Sequence, residues 1–221
     1  MAKILITSGP TRQYLDPVRY LTNASSGRMG AALATAASQA GHEVVIVTGP
    51  VQVNYPPQAC VVPVVTTGEM LAAACELFEN CDGAIGAAAP CDYQPRHQRT
   101  EKISKTGQPL MIELLETDDV IATLGQRKQG GQWVVGFALE TQDRRFRSIV
   151  KLEQKHCDLM VSNGPEAIDA KDNWVEVLAP DGNALATLAG SKESVATEIL
   201  RIIETNLILP IKPVQDRLHR G

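Results

Sequence analysis

The chain has 221 residues, and its most telling gaps are in the residues that usually announce a site. Its cysteines (Cys60, Cys75, Cys81, Cys91, Cys157) form no C-x-x-C pair, and His42, His97, His156 and His219 stand alone. That pattern excludes a zinc ribbon or dithiol redox motif and leaves reduced thiols. No Lys/Arg block exceeds a pair or two, and the net charge is -4, so no basic field exists to draw a nucleic-acid backbone. Any anion must be held by local groups. Neither a charged-then-apolar leader nor an unbroken apolar run of about eighteen residues is present, so the expectation is a cytoplasmic protein with no membrane partner. The common phosphate signatures are missing as well. A dinucleotide fingerprint needs G-x-G-x-x-G directly after a strand, where Gly9-Pro10-Thr11 stands instead, and no Gly-Lys-Ser/Thr run offers a Walker loop.

What remains is an ordinary globular composition, 44% hydrophobic and 21% charged, long enough for one sizeable core. Apolar, β-branched runs at 3–8 and 42–49 enclose an Ala-rich helix at 28–40, a βαβ opening. A third strand at 60–66 carries Pro63, which favours an edge or a bend. A helix over 69–80 leads to a strand of small residues at 84–89. Strands at 110–115, 133–139 and 159–162 then alternate with helices at 118–128 and 144–155. This alternation predicts a parallel sheet with helices on both faces. Runs at 174–178 and 184–188 flank Pro180-Asp181-Gly182-Asn183 as an antiparallel hairpin. A closing helix over 191–204 follows, with Ser191 and Ser194 as competing N-caps. The expected fold is α/β, Rossmann-like and three-layered, with a mostly parallel sheet and a C-terminal hairpin. The expected organisation is a single domain over 1–208 and a frayed tail over 209–221.

The stretch from Thr7 to Leu33 is far longer than the usual two to about six residues between a strand and a helix. It ends in Ser25-Ser26-Gly27-Arg28-Met29-Gly30 at the start of the Ala-rich helix, where free N–H groups and hydroxyls suit an anion. A capping sequence alone would explain Ser-Ser-Gly, but not Asp16, Arg19 and Asn23 in the approach to it. A second constellation, Gly86-Ala87-Ala88-Ala89-Pro90-Cys91-Asp92, leaves room for a flat ring or ribose. Asp92 could accept from a hydroxyl or base amine, or hold a metal. Lysines of Glu101-Lys102-Ile103-Ser104-Lys105 could clamp a polyphosphate, with a solvated loop the plainer alternative.

Together, "SGPTRQYLDPVRYLTNASSGRMG", "AAAPCDYQP", "EKISK", "VVGFALET" and "KLEQK" resemble the phosphopantothenate–cysteine ligases, also called phosphopantothenoylcysteine synthetases. The likeness runs from Lys3 to about Asn173. It implies an enzyme of coenzyme A biosynthesis, in stand-alone form, whose partners are 4′-phosphopantothenate, L-cysteine and CTP, or ATP in its place. The nucleotide activates the carboxylate as an acyl-nucleotide with loss of pyrophosphate, and the cysteine amine then attacks. By the same likeness Asn23 turns over that intermediate and Lys102 acts at the nucleotide phosphates. Gly86, Ala87, Ala88 and Asp92 match the nucleotide pocket, as do Phe137, Lys151 and Lys155. Asp118, Asp119, Val120 and Ile121 match a further nucleotide-contacting segment.

Phosphopantothenate falls to Arg19, Asn23, Ser25, Ser26 and Gly27, and Mg²⁺ enters through the nucleotide phosphates with Asp92 a possible ligand. The likeness also implies a homodimer, with residues 96–108 as a flap over the nucleotide. Departures from the family pattern are Cys91, Thr117-Asp118 in place of Asn-Pro, and Asn163-Gly164 in place of Asn-Asp. The rival readings are an NAD(P)-dependent reductase, disfavoured by the missing fingerprint, and a non-catalytic nucleotide-binding module.

Overall fold

The computed structural model of the chain describes residues 1–164 and 172–209. The opening strand β1 (Lys3–Ser8) leads through a small hairpin, β2 (Arg12–Tyr14) and β3 (Tyr20–Thr22), to helix α1 (Arg28–Gln39). Strands β4 (Glu43–Thr48) and β5 (Cys60–Pro63), helix α2 (Thr67–Phe78) and strand β6 (Gly83–Gly86) follow. A second small pair, β7 (Tyr93–Pro95) and β8 (Leu114–Glu116), precedes helix α3 (Val120–Arg127) and strand β9 (Trp133–Leu139). Helix α4 (Arg144–Gln154), strands β10 (Leu159–Asn163), β11 (Asp172–Leu178) and β12 (Ala184–Ser191), and helix α5 (Lys192–Ile203) complete it, the last continuing as a π-helical turn at Glu204–Ile208.

Eight strands make one sheet in the order β12-β11-β10-β9-β6-β1-β4-β5. Pairing is parallel from β5 to β10, and β11 and β12 add an antiparallel edge. Within β1 the side chains alternate between faces, as a pleated strand requires. Ile4 and Ile6 pack with Leu33 of α1 and Ile199 of α5, while Leu5 packs with Met70 of α2 and Leu124 of α3. Because helices cover both faces, Ile4, Leu5 and Ile6 are all fully buried.

The starts of the helices are written locally. Thr66 and Glu69 form a reciprocal capping box, so α2 begins at Thr67 and not at 69. Asp119 caps α3 by accepting from Ala122 N–H at 2.9 Å. Ser191 is the cap of α5, accepting from Ser194 N–H at 3.2 Å, which decides between the two serines. Helix α1 has Gly27 at its N-cap in the left-handed region (φ 74°) with no side-chain cap.

Two expectations are corrected. The apolar run 110–115 is not a strand of the sheet: β6 pairs directly with β9, so no slot is left, and only Leu114–Glu116 pairs, with β7. The small-residue strand stops at Gly86, and Ala89 makes only an isolated bridge to Pro10. The hairpin inside the opening loop was not anticipated. Strand β5 sits at the sheet edge with Pro63 as its last residue, as expected. The expected frayed tail lies outside the described residues apart from Leu209.

Helix α1 crosses β1 so closely that a Cβ at Gly30 would collide with the Ser8 side chain. Gly30→Ala, which in an open helix would gain about 0.5–1 kcal/mol, is therefore expected to cost about 1–3 kcal/mol in urea-induced unfolding. A raised midpoint would contradict the close packing.

Candidate active site

The loops leaving β1 and β6 open at the carboxyl edge of the sheet, and two clefts lie there side by side, of about 350 and 300 Å³. They share Ala88, Pro90, Asp92, Phe137 and Lys155 as a common wall. The first cleft is completed by Gly86 and by the start of α3, Asp118 to Ile121. A Cβ at Gly86 would press on the outer atoms of the Ile121 side chain, so a larger residue there would have to displace Ile121. The second is completed by Asn23, Ser25, Ser26 and Gly27 of the opening loop and by Ala87 and Lys151. The uncapped first turn of α1 thus forms part of its lining, with Ser25 Oγ accepting from Gly27 N–H at 3.4 Å.

Two lysines of this seam are paired within the protein. Lys155 Nζ lies 2.9 Å from Asp119 and Lys151 Nζ 2.6 Å from the buried Glu140 carboxylate. Burial pushes the Asp119 carboxyl upward, but the Ala122 N–H and the Lys155 ammonium outweigh it and hold the group below its usual range. One carboxylate thereby caps α3 and orients the lysine common to both clefts. Asn23 Nδ2 donates to the Pro90 carbonyl at 2.8 Å, which ties the opening loop to the shared wall. Among the described residues no three acidic, His or Cys side chains converge as a metal site.

Two of the candidate residues line neither cleft. Arg19 Nη1 pairs with Asp16 at 2.6 Å and donates to the Ile103 carbonyl at 3.0 Å. Lys102, next to Ile103, stands exposed on a strap that this tie and an Arg99 N–H bond to the Leu15 carbonyl (2.9 Å) hold against the β2–β3 hairpin. Asp16 is fully buried and also accepts from the N–H groups of Val18, Arg19 and Ile103. Burial raises its pKa, yet these donors and the Arg19 guanidinium overcome the penalty and lower it to about 2. Residues that the sequence reading did not place in the second cleft are Lys192, only 8% exposed, and Asn163, noted there only as a departure from the family pattern, whose buried Oδ1 has no hydrogen-bond partner among the described residues. No local pattern marks Lys192: the hairpin register brings it there.

Residues 1–207 match the family described as the DNA/pantothenate metabolism flavoprotein C-terminal domain. The chain belongs to this family. Similar sequences include the coenzyme A biosynthesis bifunctional protein CoaBC of Bacillus subtilis, 38% identical over 205 residues, 90% of this chain and 50% of that protein. Another is named cysteine/cysteine sulfinic acid decarboxylase, from an unidentified prokaryote, 38% identical over 208 residues, 92% of this chain and 58% of that protein. A solved C-terminal domain of a CoaBC shares the fold with a TM-score of 0.78 and 37% identity, covering 91% of this chain and 93% of that one. The chain spans about half the length of the curated relatives it matches. Among the described residues of this family member no helix is long and apolar enough to cross a membrane.

The tie of the strap has a definite pH signature. A carboxyl depressed from 3.8 to about 2 contributes stability that is present above the unfolded value and lost as pH falls through the folded one. The Ile103 amide resonance is expected to titrate with a midpoint near about 2. A midpoint near 3.8 would show that Asp16 does not hold the strap.

Proposed function

We propose that this chain is a phosphopantothenate–cysteine ligase of coenzyme A biosynthesis, using CTP in preference to ATP. The observation that carries the proposal is the common wall of the two clefts. The chemistry needs two anions, a carboxylate and an α-phosphate, to meet at one point, and Asp92, Phe137 and Lys155 border both clefts. The bifunctional relatives named for coenzyme A biosynthesis support it, as does the match to the C-terminal half of such a protein.

In this proposal the first cleft takes the nucleotide, with Gly86 and Ala88 beside the base or ribose and Asp118 to Ile121 at the start of α3. The second takes phosphopantothenate, with its phosphate at Ser26 and Gly27 and its carboxylate directed to the seam. A carboxylate oxygen attacks the α-phosphorus and pyrophosphate leaves. The cysteine amine then attacks the acyl carbon, CMP departs, and the amine proton is released. Lys155 and Lys151 lower the repulsion between the two anions. Mg²⁺ would enter on the nucleotide phosphates, with Asp92 within the shared wall, and supply further neutralisation. In this reading Asn23, whose Nδ2 donates to the Pro90 carbonyl, takes part in turning over the acyl-nucleotide. No protein nucleophile is needed. Burial pushes the Cys91 thiol up and the Cys157 thiol to about 12, so neither is poised as a nucleophile in the folded protein.

Lys102 reaches the site in this proposal as part of a flap over 96–108 at a homodimer interface. The adjoining Leu110 and Met111, 59% and 90% exposed in one chain, supply an apolar surface for such a contact.

The test is pyrophosphate release from the purified chain with phosphopantothenate, comparing CTP with ATP, with and without cysteine and Mg²⁺. Release is expected to depend on phosphopantothenate and to be faster with CTP; none with either nucleotide, in folded protein, would refute the proposal. Lys102→Ala is expected to slow release about a hundredfold or more with the fold intact. Asn23→Ala is expected to accumulate acyl-nucleotide, read by mass spectrometry of quenched reactions. Its absence would remove Asn23 from the second half-reaction.

A further inference from the structure

Beneath the common wall lies a set of hydroxyls that border neither cleft. Thr11 is 0% exposed and Thr67 1%, with Cys91 beside them at 4%. Cys91 N–H donates to Thr11 Oγ1 at 2.8 Å, the Thr11 and Thr67 hydroxyls are 2.8 Å apart, and Thr67 Oγ1 donates to the Cys91 carbonyl at 3.1 Å. Each hydroxyl has one proton. With the Thr67 proton on the carbonyl, Thr11 must donate to Thr67 while accepting from Cys91 N–H. The donors therefore run one way around a closed ring that takes in both backbone groups of Cys91.

Further bonds fix the residues on either side. Thr117 Oγ1 donates to the same Cys91 carbonyl at 2.6 Å, and Thr117 N–H to the Asp92 carbonyl at 2.9 Å. Asn23 Nδ2 holds the Pro90 carbonyl at 2.8 Å. The Cys91 thiol faces the Thr11 and Leu21 carbonyls at 3.4 and 3.5 Å. Three consecutive carbonyls are thus gripped from the opening loop, from α2 and from the approach to α3. A buried ring of this kind stiffens what it encloses when every member is satisfied and is costly when one is missing.

We propose that Thr11 and Thr67 are positioning residues: through the ring at Cys91 they hold Asp92, and through Pro90 also Asn23, in register at the seam between the clefts. This rests on the ligase proposal for that seam. Neither threonine touches substrate, and the ring supplies no proton to the reaction. Its effect is to keep a loop that borders both clefts from shifting when one of them fills.

Thr67→Val keeps the shape and deletes the hydroxyl, whereas Thr67→Ser keeps the hydroxyl. Two readouts are taken: pyrophosphate release, and the alkylation rate of Cys91 followed by peptide mass mapping so that the exposed Cys60 is scored separately. Thr67→Val is expected to lower kcat about tenfold, the loss of one hydrogen bond's worth of alignment, with KM values within about twofold. Cys91 alkylation should accelerate severalfold, and Thr67→Ser should restore both. Unchanged kcat and unchanged Cys91 protection in Thr67→Val, or failure of Thr67→Ser to restore them, would overturn the proposal. If wild-type protein releases no pyrophosphate, the ligase proposal falls and Cys91 alkylation alone decides the clamp. Should Thr67→Val fail to fold, hydrogen exchange at the wild-type Cys91 amide decides it: exchange as slow as in β6 supports the ring, and exchange at loop rates overturns it.

Discussion

The reversal of strand order at β1 is the constraint on which the site depends. The chain leaves β1 for β4 and β5 on one side, then returns to pair β6, β9 and β10 on the other. After β1 it runs to α1 on one face of the sheet, and after β6 to α3 on the opposite face. Their connecting loops therefore part at the carboxyl edge, and a crevice opens between them. The long opening loop follows from this geometry. It builds its own hairpin, returns across the crevice to contact Pro90, and delivers Gly27 to the N-terminus of α1.

Electrostatics divides the labour within that crevice. Lys155 and Lys151 are pre-paired with Asp119 and Glu140, so their charge is held in place before any ligand arrives. A ligand anion must compete with those carboxylates, but the ammonium groups need no reorganisation to meet it. Asp16 and Arg19 do something different. The fully buried Asp16 and the half-exposed Arg19 form a multiply bonded pair that joins the opening loop to the strap that carries Lys102, across 84 residues of sequence. In the proposed ligase the charge at the seam meets the ligands, whereas charge at the strap holds two segments together.

Much of this was legible in the sequence, for identifiable reasons. The alternating sheet, the edge position of Pro63, the closing hairpin and the opening of α1 follow from periodicity and turn chemistry, which are local. The small residues after β6 and the Ser25-Ser26-Gly27 run marked the two sides of the crevice before its shape was known. The misplaced strand at 110–115 shows the limit: an apolar run says that a segment seeks cover, not which surface covers it. Leu110 and Met111 are exposed in the single chain although their composition is that of a core strand. Lys192 and the Thr11–Thr67–Cys91 ring were invisible because both depend on segments brought together by register. Arg19 and Lys102 stood out as charged residues of long polar loops, family likeness gave Lys102 a role at the phosphates, and the structure adds the physical link between them.

The central claim is that the two clefts are halves of one site whose midpoint is the wall shared by Ala88, Asp92, Phe137 and Lys155. The most direct test is a crystal structure of the chain with a non-hydrolysable acyl-nucleotide mimic, phosphopantothenate joined to CMP. Continuous density through both clefts, with the acyl-phosphate linkage at Asp92 and Lys155, is the predicted result. Density confined to one cleft, or lying away from the shared wall, would contradict it.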